Sequence, residues 1–372
     1  MLEPGLRYFN AANIGPAFRG AVEAQARETA AFQADPSRER RERYVTQSAA
    51  LRARLARRLN AAPEEIALVR NASEGNSVAV LGLDLKPGDE VIVTDHNHQS
   101  TLDSWHLRAR RQGLVVRTVA TPFAAADPAA VVAAFAAAVT PRTRAIFLSH
   151  MTNVTGLVLP VADIARLARA HGAWLHVDAA QTFGWLPTDL AAIGCDSWAA
   201  STHKWLLGPL EGGVLYVRRD RQDRLSPLML SHGYWIGSPA EMETAQRYEI
   251  LGQRDDPKLA ALAATLDAHD ALGEAVVERM VRARAAALRA ALARVPGARL
   301  VGSAHPALAG PVVTAAFAGQ DVPALRRRLW RQARIATAEA KAGGDALVRF
   351  SPHLYNSEAD IAAVTRALDD TA

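Results

Sequence analysis

Lys204 is one of only four lysines in the chain, and every other basic residue among the 43 is arginine. It stands in "ASTHKWLLGPLEGGVLYV" between apolar stretches on both sides. Lys86 and Lys258 lie beside prolines in polar surroundings, and Lys341 lies beside a Gly-Gly pair. On this pattern Lys204 is the one lysine expected to be buried, and a buried lysine calls for a partner. Desolvation lowers an amine's pKa and frees it to attack carbonyl carbons, forming Schiff bases.

Other polar residues recur where apolar runs end. Asn71 to Glu74 follow "IALV", His96 and His98 follow "VIV", and His150 to Asn153 follow "AIFL". Asp178 closes "WLHV", and Ser201 to Lys204 follow "SWAA". Open α/β sheets bind ligands beyond the carboxyl ends of their strands, so five such ends mark a site. In "NASEGNSVAVLGL" Ser73 reads as an N-cap, with Glu74 onward as a helix whose free N–H groups can hold an anion. Pyridoxal phosphate (PLP) uses a lysine, an acidic partner for its ring nitrogen and a phosphate cradle. Lys204, Asp178 and the Ser73 segment offer all three.

The elements that must position these residues are legible in outline. "EIALVRN", "EVIVTDH", "RAIFLSH", "AWLHVD", "SWAAST" and "GGVLYV" read as short buried strands. Helices fall between them, as from Val161 to His171 with Gly172 as a stop. This alternation predicts an α/β layer on a mostly parallel sheet. From about Leu251 the texture turns α+β. A long helical stretch breaks near Gly273, followed by strands "ARLVG", "PVVTAAF" and "ALVRF", a helix from about Val322 to Gln332, and a last helix after Ser357. The expected division is a large domain, 15–250, and a small one, 251–372 joined by 1–14.

At 372 residues with 49% hydrophobic and 22% charged residues, the chain has the composition of a globular protein. Its formal charge of +5 sits in arginines along segments such as "LRARLARRL". These read as solvated helix faces, so no nucleic-acid partner is expected. The run "PAAVVAAFAAAV" is too short and alanine-rich to span a bilayer, and no basic-then-apolar leader opens the sequence. No membrane partner is expected, and a single cysteine, Cys195, makes a cytoplasmic setting the default.

The ordered motifs "YFNAANIGP", "NASEGN", "NHQSTLDSW", "SHMTNVTG", "HVDAAQTFG", "STHKWLLGP" and "VRFSPHLYNSEADI" cover nearly the whole chain. Together they resemble the class V aminotransferases of fold type I, in the branch of isopenicillin N epimerase-like proteins and cysteine desulfurases. The resemblance implies that Lys204 carries PLP and moves the Cα proton, that Asp178 pairs with the ring nitrogen, and that His98 stacks on the ring. It implies that Gln181 and Asn153 hydrogen-bond near the ring's O3′ oxygen. Ala72, Ser73, Ser201 and His203 would bind the phosphate. In a homodimer Gln253 of "LGQRD", where the family has Gly-Thr, would reach the neighbouring chain's phosphate site. Arg349 would grip the substrate carboxylate, a task suited to a planar fork.

The implied activity is Cα chemistry on a small amino acid, by epimerisation, transamination or β-elimination. The alternatives are a carbon–sulfur lyase, an oxidative deaminase or a decarboxylase, and, in a different class, a silent PLP-fold scaffold. Cys195 lies in "IGCDSW" at the entrance to a buried strand and not before "VRFS", which argues against a desulfurase nucleophile. His96 and His98 could share a strand face, yet "DHNHQSTLDSWH" offers no closed set of metal ligands, and no metal is expected. A Walker loop and a dinucleotide fingerprint are both absent. Trp185, Trp205 and Trp235 are candidates for a substrate pocket, with a core role equally open to the first two.

Overall fold

The computed structural model describes residues 2–231 and 242–369. Trp235 lies outside them. Thirteen strands occur in chain order among the described residues. They are β1 (Arg7–Tyr8), β2 (Ile66–Val69), β3 (Glu90–Thr94), β4 (Val115–Val119), β5 (Thr143–Ser149), β6 (Trp174–Asp178), β7 (Ser197–Ser201), β8 (Gly213–Val217), β9 (Ala298–Val301), β10 (Val313–Phe317), β11 (Ile335–Ala336), β12 (Ala338–Ala342) and β13 (Asp345–Phe350).

The large sheet has the order β2-β8-β7-β6-β5-β3-β4. Only β8 runs against its neighbours, β2 and β7; the pairs from β7 to β4 are parallel. Both faces are covered, and side chains alternate between two cores. Ile92, Ile146, Leu148, Leu175 and Val177 face one core. Val91, Val93, Ala145, Phe147 and Trp174 face the other. A sheet buried on both sides needs such unbroken apolar runs, which is why its central strands could be read from sequence. β4 could not, because its burial is mostly outward and Arg117 interrupts it: it is the edge.

The C-terminal part has a four-stranded antiparallel sheet, β12-β13-β10-β9. Helices Glu274–Leu292, Val322–Ala333 and Glu358–Asp369 bury Leu288, Leu292, Leu325, Leu329, Val364 and Leu368 with Val313, Val348 and Phe350. The N-terminal Phe9 joins that core, and β1 pairs in parallel with β11. Gly273, at φ +81°, separates helix Lys258–Leu272 from Glu274–Leu292. Leu259, Leu262 and Leu266 of the first helix pack in the large-sheet core. The molecule is thus an α/β architecture of fold type I, with a large mixed sheet and a smaller α+β unit.

Candidate active site

A cavity of about 320 Å³ opens at the carboxyl ends of the large sheet. Asn71, Ala72, Ser73 and Asn76 line it from beyond β2, and His98 from beyond β3. Ser149 and Asn153 come from the end of β5 and the turn after it. Asp178 ends β6 and Ser201 ends β7; Ala180, Gln181, His203 and Lys204 follow them. Asn13 and Ile14 close it from the N-terminal stretch. Nine of the residues picked from sequence therefore meet: Ala72, Ser73, His98, Asn153, Asp178, Gln181, Ser201, His203 and Lys204. Asn13, Ile14, Asn76, Ser149 and Ala180 had been given no role. Asn76 lay inside a quoted motif, but its importance depends on a contact with Asp178 that only the fold creates.

Lys204 projects from the turn after β7. The N-terminal segment crosses directly over this turn: Gly15 N–H donates to the His203 carbonyl at 2.7 Å. A Cβ at Gly15 would stand 2.0 Å from the Lys204 carbonyl oxygen, so only glycine permits that crossing. Burial pushes the Lys204 amine below its usual pKa; the Asp178 charge acts upward and the Arg349 charge downward. By surface exposure Lys204 is half-buried, since it opens onto the cavity, and the buried lysine is a different one. Lys258 is only 6% exposed, because it begins a helix whose Leu259 and Leu262 are drawn into the large core. Burial lowers its pKa too, but it does not line the cavity. What sets Lys204 apart is the cavity and the facing carboxylate.

Asp178 is buried and accepts from Ala180 N–H at 2.9 Å and from Asn76 Nδ2 at 2.8 Å. Gln181 is oriented without ambiguity. Trp205 Nε1, which can only donate, gives to Gln181 Oε1 at 2.8 Å, so the amide nitrogen is the other end. That nitrogen donates one proton to the Ala12 carbonyl at 2.9 Å and keeps a second. Trp185 and Trp205 are fully buried, so they back the site instead of lining it.

The helix after β2 starts two residues earlier than its sequence predicts. Asn71, not Ser73, is the N-cap, and its side chain accepts from Glu74 N–H at 3.0 Å. Asparagine caps as well as serine, and its extended backbone turns the chain in from β2. The change frees Ser73. Ala72 N–H donates to Ser201 Oγ at 2.8 Å and Gly75 N–H to the Asn71 carbonyl at 3.2 Å. Ser73 N–H has no partner among the described residues, and His203 Nδ1 is buried without one. Unsatisfied donors at a helix N-terminus suit a phosphate.

His98 and His96 do not share a strand face, because β3 ends at Thr94. His98 instead caps helix Gln99–Gln112; its Nδ1 accepts from Ser100 N–H at 3.3 Å, which assigns the proton to Nε2. Burial and then the Lys204 charge hold its pKa down. His96 stacks on Phe123, and no cluster of metal-ligating side chains occurs among the described residues.

Arg349 lies behind the lining residues. It donates to the Asn153 carbonyl at 3.0 Å and to Asn10 Oδ1 at 3.2 Å. No acidic side chain pairs with it among the described residues, and its buried Nε has no partner. Burial lowers its pKa to about 10. Gln253 does not line the cavity of its own chain; its Oε1 accepts from Arg41 at 3.5 Å.

Residues 17–364 match the family described as aminotransferase class-V. The chain belongs to this family.

The class V relatives include isopenicillin N epimerase of Streptomyces clavuligerus, 33% identical over 99% of this chain and 96% of that protein. A probable cysteine desulfurase of Pseudomonas aeruginosa is 33% identical over 72% of this chain and 67% of its own. Among solved structures, the cystine C–S lyase C-DES, in complex with its reaction product cysteine persulfide, superposes with a TM-score of 0.90. It is 26% identical, covering 99% of this chain and 98% of that one. C-DES with glycine covalently linked to its PLP cofactor gives 0.91 at 26% identity, over 99% and 97%. The class V chain described here is a PLP-dependent enzyme. Its site fits that cofactor: a desolvated amine faces a buried carboxylate, and the unpartnered Ser73 N–H and His203 Nδ1 stand at a helix N-terminus and the lysine turn. No described helix is long and apolar enough to cross a membrane.

Proposed function

We propose that the enzyme is a carbon–sulfur lyase that carries out β-elimination on a small sulfur-bearing amino acid. The observation that carries this reading is a cavity with one lysine and no cysteine. Cys195, the chain's single cysteine, is fully buried in the large core, and burial raises its thiol pKa far above the usual range. A thiol held neutral is a poor nucleophile, so sulfur has no protein acceptor and must leave into solvent. The full-length fit to C-DES supports the same reading.

PLP bound here supplies an electrophilic carbon for the amine and a ring that accepts electrons from Cα. Lys204 would hold the cofactor and, when free, would take the Cα proton on Nζ. Asp178 would keep the ring nitrogen protonated, His98 would cover the ring, and Gln181, with a second amide proton to give, would serve O3′ together with Asn153. Ser73, Ser201 and His203 hold the phosphate; the Ala72 N–H acts through Ser201, whose oxygen it already fixes. Arg349 takes the substrate carboxylate with its unpaired charge. The Cβ–S bond then breaks with its electron pair on sulfur, and water converts the three-carbon remainder to pyruvate and ammonia.

The working unit in this reading is a homodimer in which Gln253 serves the partner's phosphate site. Exposed Leu210, Leu228, Met229 and Leu230 supply an apolar surface for it. Residues 15–250 form the cofactor-bearing unit and 251–372 with 1–14 the smaller one. A second reading, epimerisation, is favoured by the 33% identity to isopenicillin N epimerase across both chains. Incubating holoenzyme with cystine, cysteine and a panel of other amino acids in deuterated water separates the two. Pyruvate with a released thiol or persulfide supports the lyase. Deuterium at Cα with a D-isomer and no pyruvate replaces it with the epimerase.

A further inference from the structure

His176 is the odd residue on its strand. It points into an otherwise apolar core, stacked on Phe147 at 4.8 Å, and it is fully buried. Burial drives its pKa down to about 3, so it is neutral at any working pH. Both ring nitrogens are nevertheless engaged. Nε2 lies 2.9 Å from Asn76 Oδ1 and Nδ1 lies 2.7 Å from Ser197 Oγ. Ser197 Oγ also accepts from Trp174 Nε1 at 2.9 Å. Asn76 Nδ2 gives one proton to Asp178 at 2.8 Å and points the other at Thr101 Oγ1, 3.5 Å away.

Only one arrangement of protons satisfies every group. The Trp174 indole can only donate, so it occupies Ser197 Oγ as a donor. The Ser197 hydroxyl then gives its own proton to His176 Nδ1. The histidine carries its proton on Nε2 and donates it to Asn76 Oδ1, which turns the amide nitrogen towards Asp178. The reverse arrangement would turn Asn76 Oδ1 against the carboxylate and require a proton on Asp178. It would also leave the Ser197 hydroxyl proton without its acceptor in a dry core, and an unmade buried hydrogen bond is costly.

We propose that Trp174, Ser197, His176 and Asn76 form a one-way, uncharged hydrogen-bond relay whose purpose is to hold Asp178 as an oriented anion for the cofactor's ring nitrogen. The four are positioning residues: Asn76 acts on Asp178, and the other three act through Asn76. Because the relay has no charge of its own, it fixes the carboxylate without competing with the ring nitrogen for it. The inference rests on Asp178 being the partner of that nitrogen.

The test uses holoenzyme reconstituted with PLP labelled with ¹⁵N in the ring, and imidazole ¹⁵N spectra assigned to His176 by its loss in a His176→Gln variant. The native enzyme should show His176 as the Nε2–H tautomer and a protonated ring nitrogen. Asn76→Leu keeps the shape and removes the hydrogen bonds. It should move the ring ¹⁵N signal towards the neutral form and raise the PLP dissociation constant about tenfold, the worth of one hydrogen bond to a charged group. Ser197→Ala alters a single hydroxyl remote from PLP and serves if the first variant does not fold. It should leave His176 as the Nε2–H tautomer with an Nδ1 that has lost its donor, seen as a displaced Nδ1 signal, and shift the ring signal in the same direction by less. An Nδ1–H tautomer in the native enzyme, or variants with unchanged ring signal and affinity, would overturn the relay. Asp178→Asn with a fully protonated ring would instead refute the pairing on which it rests.

Discussion

Asp178 and Arg349 act on the Lys204 amine with opposite sign, and the chain treats the two differently. Each Asp178 oxygen has a donor, and the donor to Oδ2 is itself anchored three residues deep. Arg349 has two acceptors, neither of them charged, and a buried Nε with no partner. A fully satisfied buried group is rigid, and an under-satisfied one retains binding energy for an incoming partner. The proposed function assigns a resident cofactor to the sheet side and a transient carboxylate to the small-domain side. The same contrast separates the two desolvated lysines, of which only Lys204 faces the cavity.

The sharpest way to break the contrast between lysines is Lys204→Ala. Turnover should fall on the order of 10³-fold or more, with PLP still bound but no longer fixed by borohydride. Label recovered on Lys258 of the native enzyme would show that burial, not the cavity, selects the amine.

Arg349→Lys probes the under-satisfied side. It keeps the charge and loses the fork, and substrate binding should weaken by part of the about 2–4 kcal/mol that losing the whole charge-assisted pair costs, while PLP affinity stays put. A variant that binds amino acids as the parent does would end the distinction between the two sides.

His353 ties the small domain to the lysine turn, with Nε2 at 3.0 Å from the Trp205 carbonyl and Nδ1 accepting from Leu354 N–H at 2.8 Å. Burial, the largest cause, lowers its pKa to about 3. Below pH 6.5 the unfolded chain binds a proton that the folded one refuses, so stability rises with pH across the window from about 3 to 6.5. Its share of the loss between pH 6.5 and 5.5 should be about 1 kcal/mol. Denaturant melts at the two pH values should differ less in His353→Gln than in the native protein by that amount.

The smallest effect belongs to Cys195→Ala. A small buried residue is shortened by one atom, so a stability loss of about 1 kcal/mol and unchanged turnover are expected. Lost sulfur release in this variant would return a protein thiol to the mechanism.

Much of this site was visible in the chain. Five polar clusters at the ends of apolar runs announced a sheet and its ligand-binding edge, because a doubly covered strand must be apolar until it leaves the core. Edge strands β4 and β12 escaped, since exposure removes that pattern. The cap at Asn71 was misplaced by two residues because asparagine and serine are nearly equal caps and the turn out of β2 decides between them.

The sequence by itself determined the chemistry at hand: a lysine, a carboxylate, an arginine and an anion-holding turn, each fixed by residue type. Tertiary structure decided which of them are partnered. Asn76 and His176 are 100 residues apart, and Asp178 and Asn76 are 102 apart, so no local spacing could join them. Lys204 and Lys258 look different in sequence and are both enclosed, because helix packing pulls one in and the cavity admits the other. Composition sets what a group can do; only the folded neighbours set its hydrogen bonds, its charge and whether a ligand can reach it.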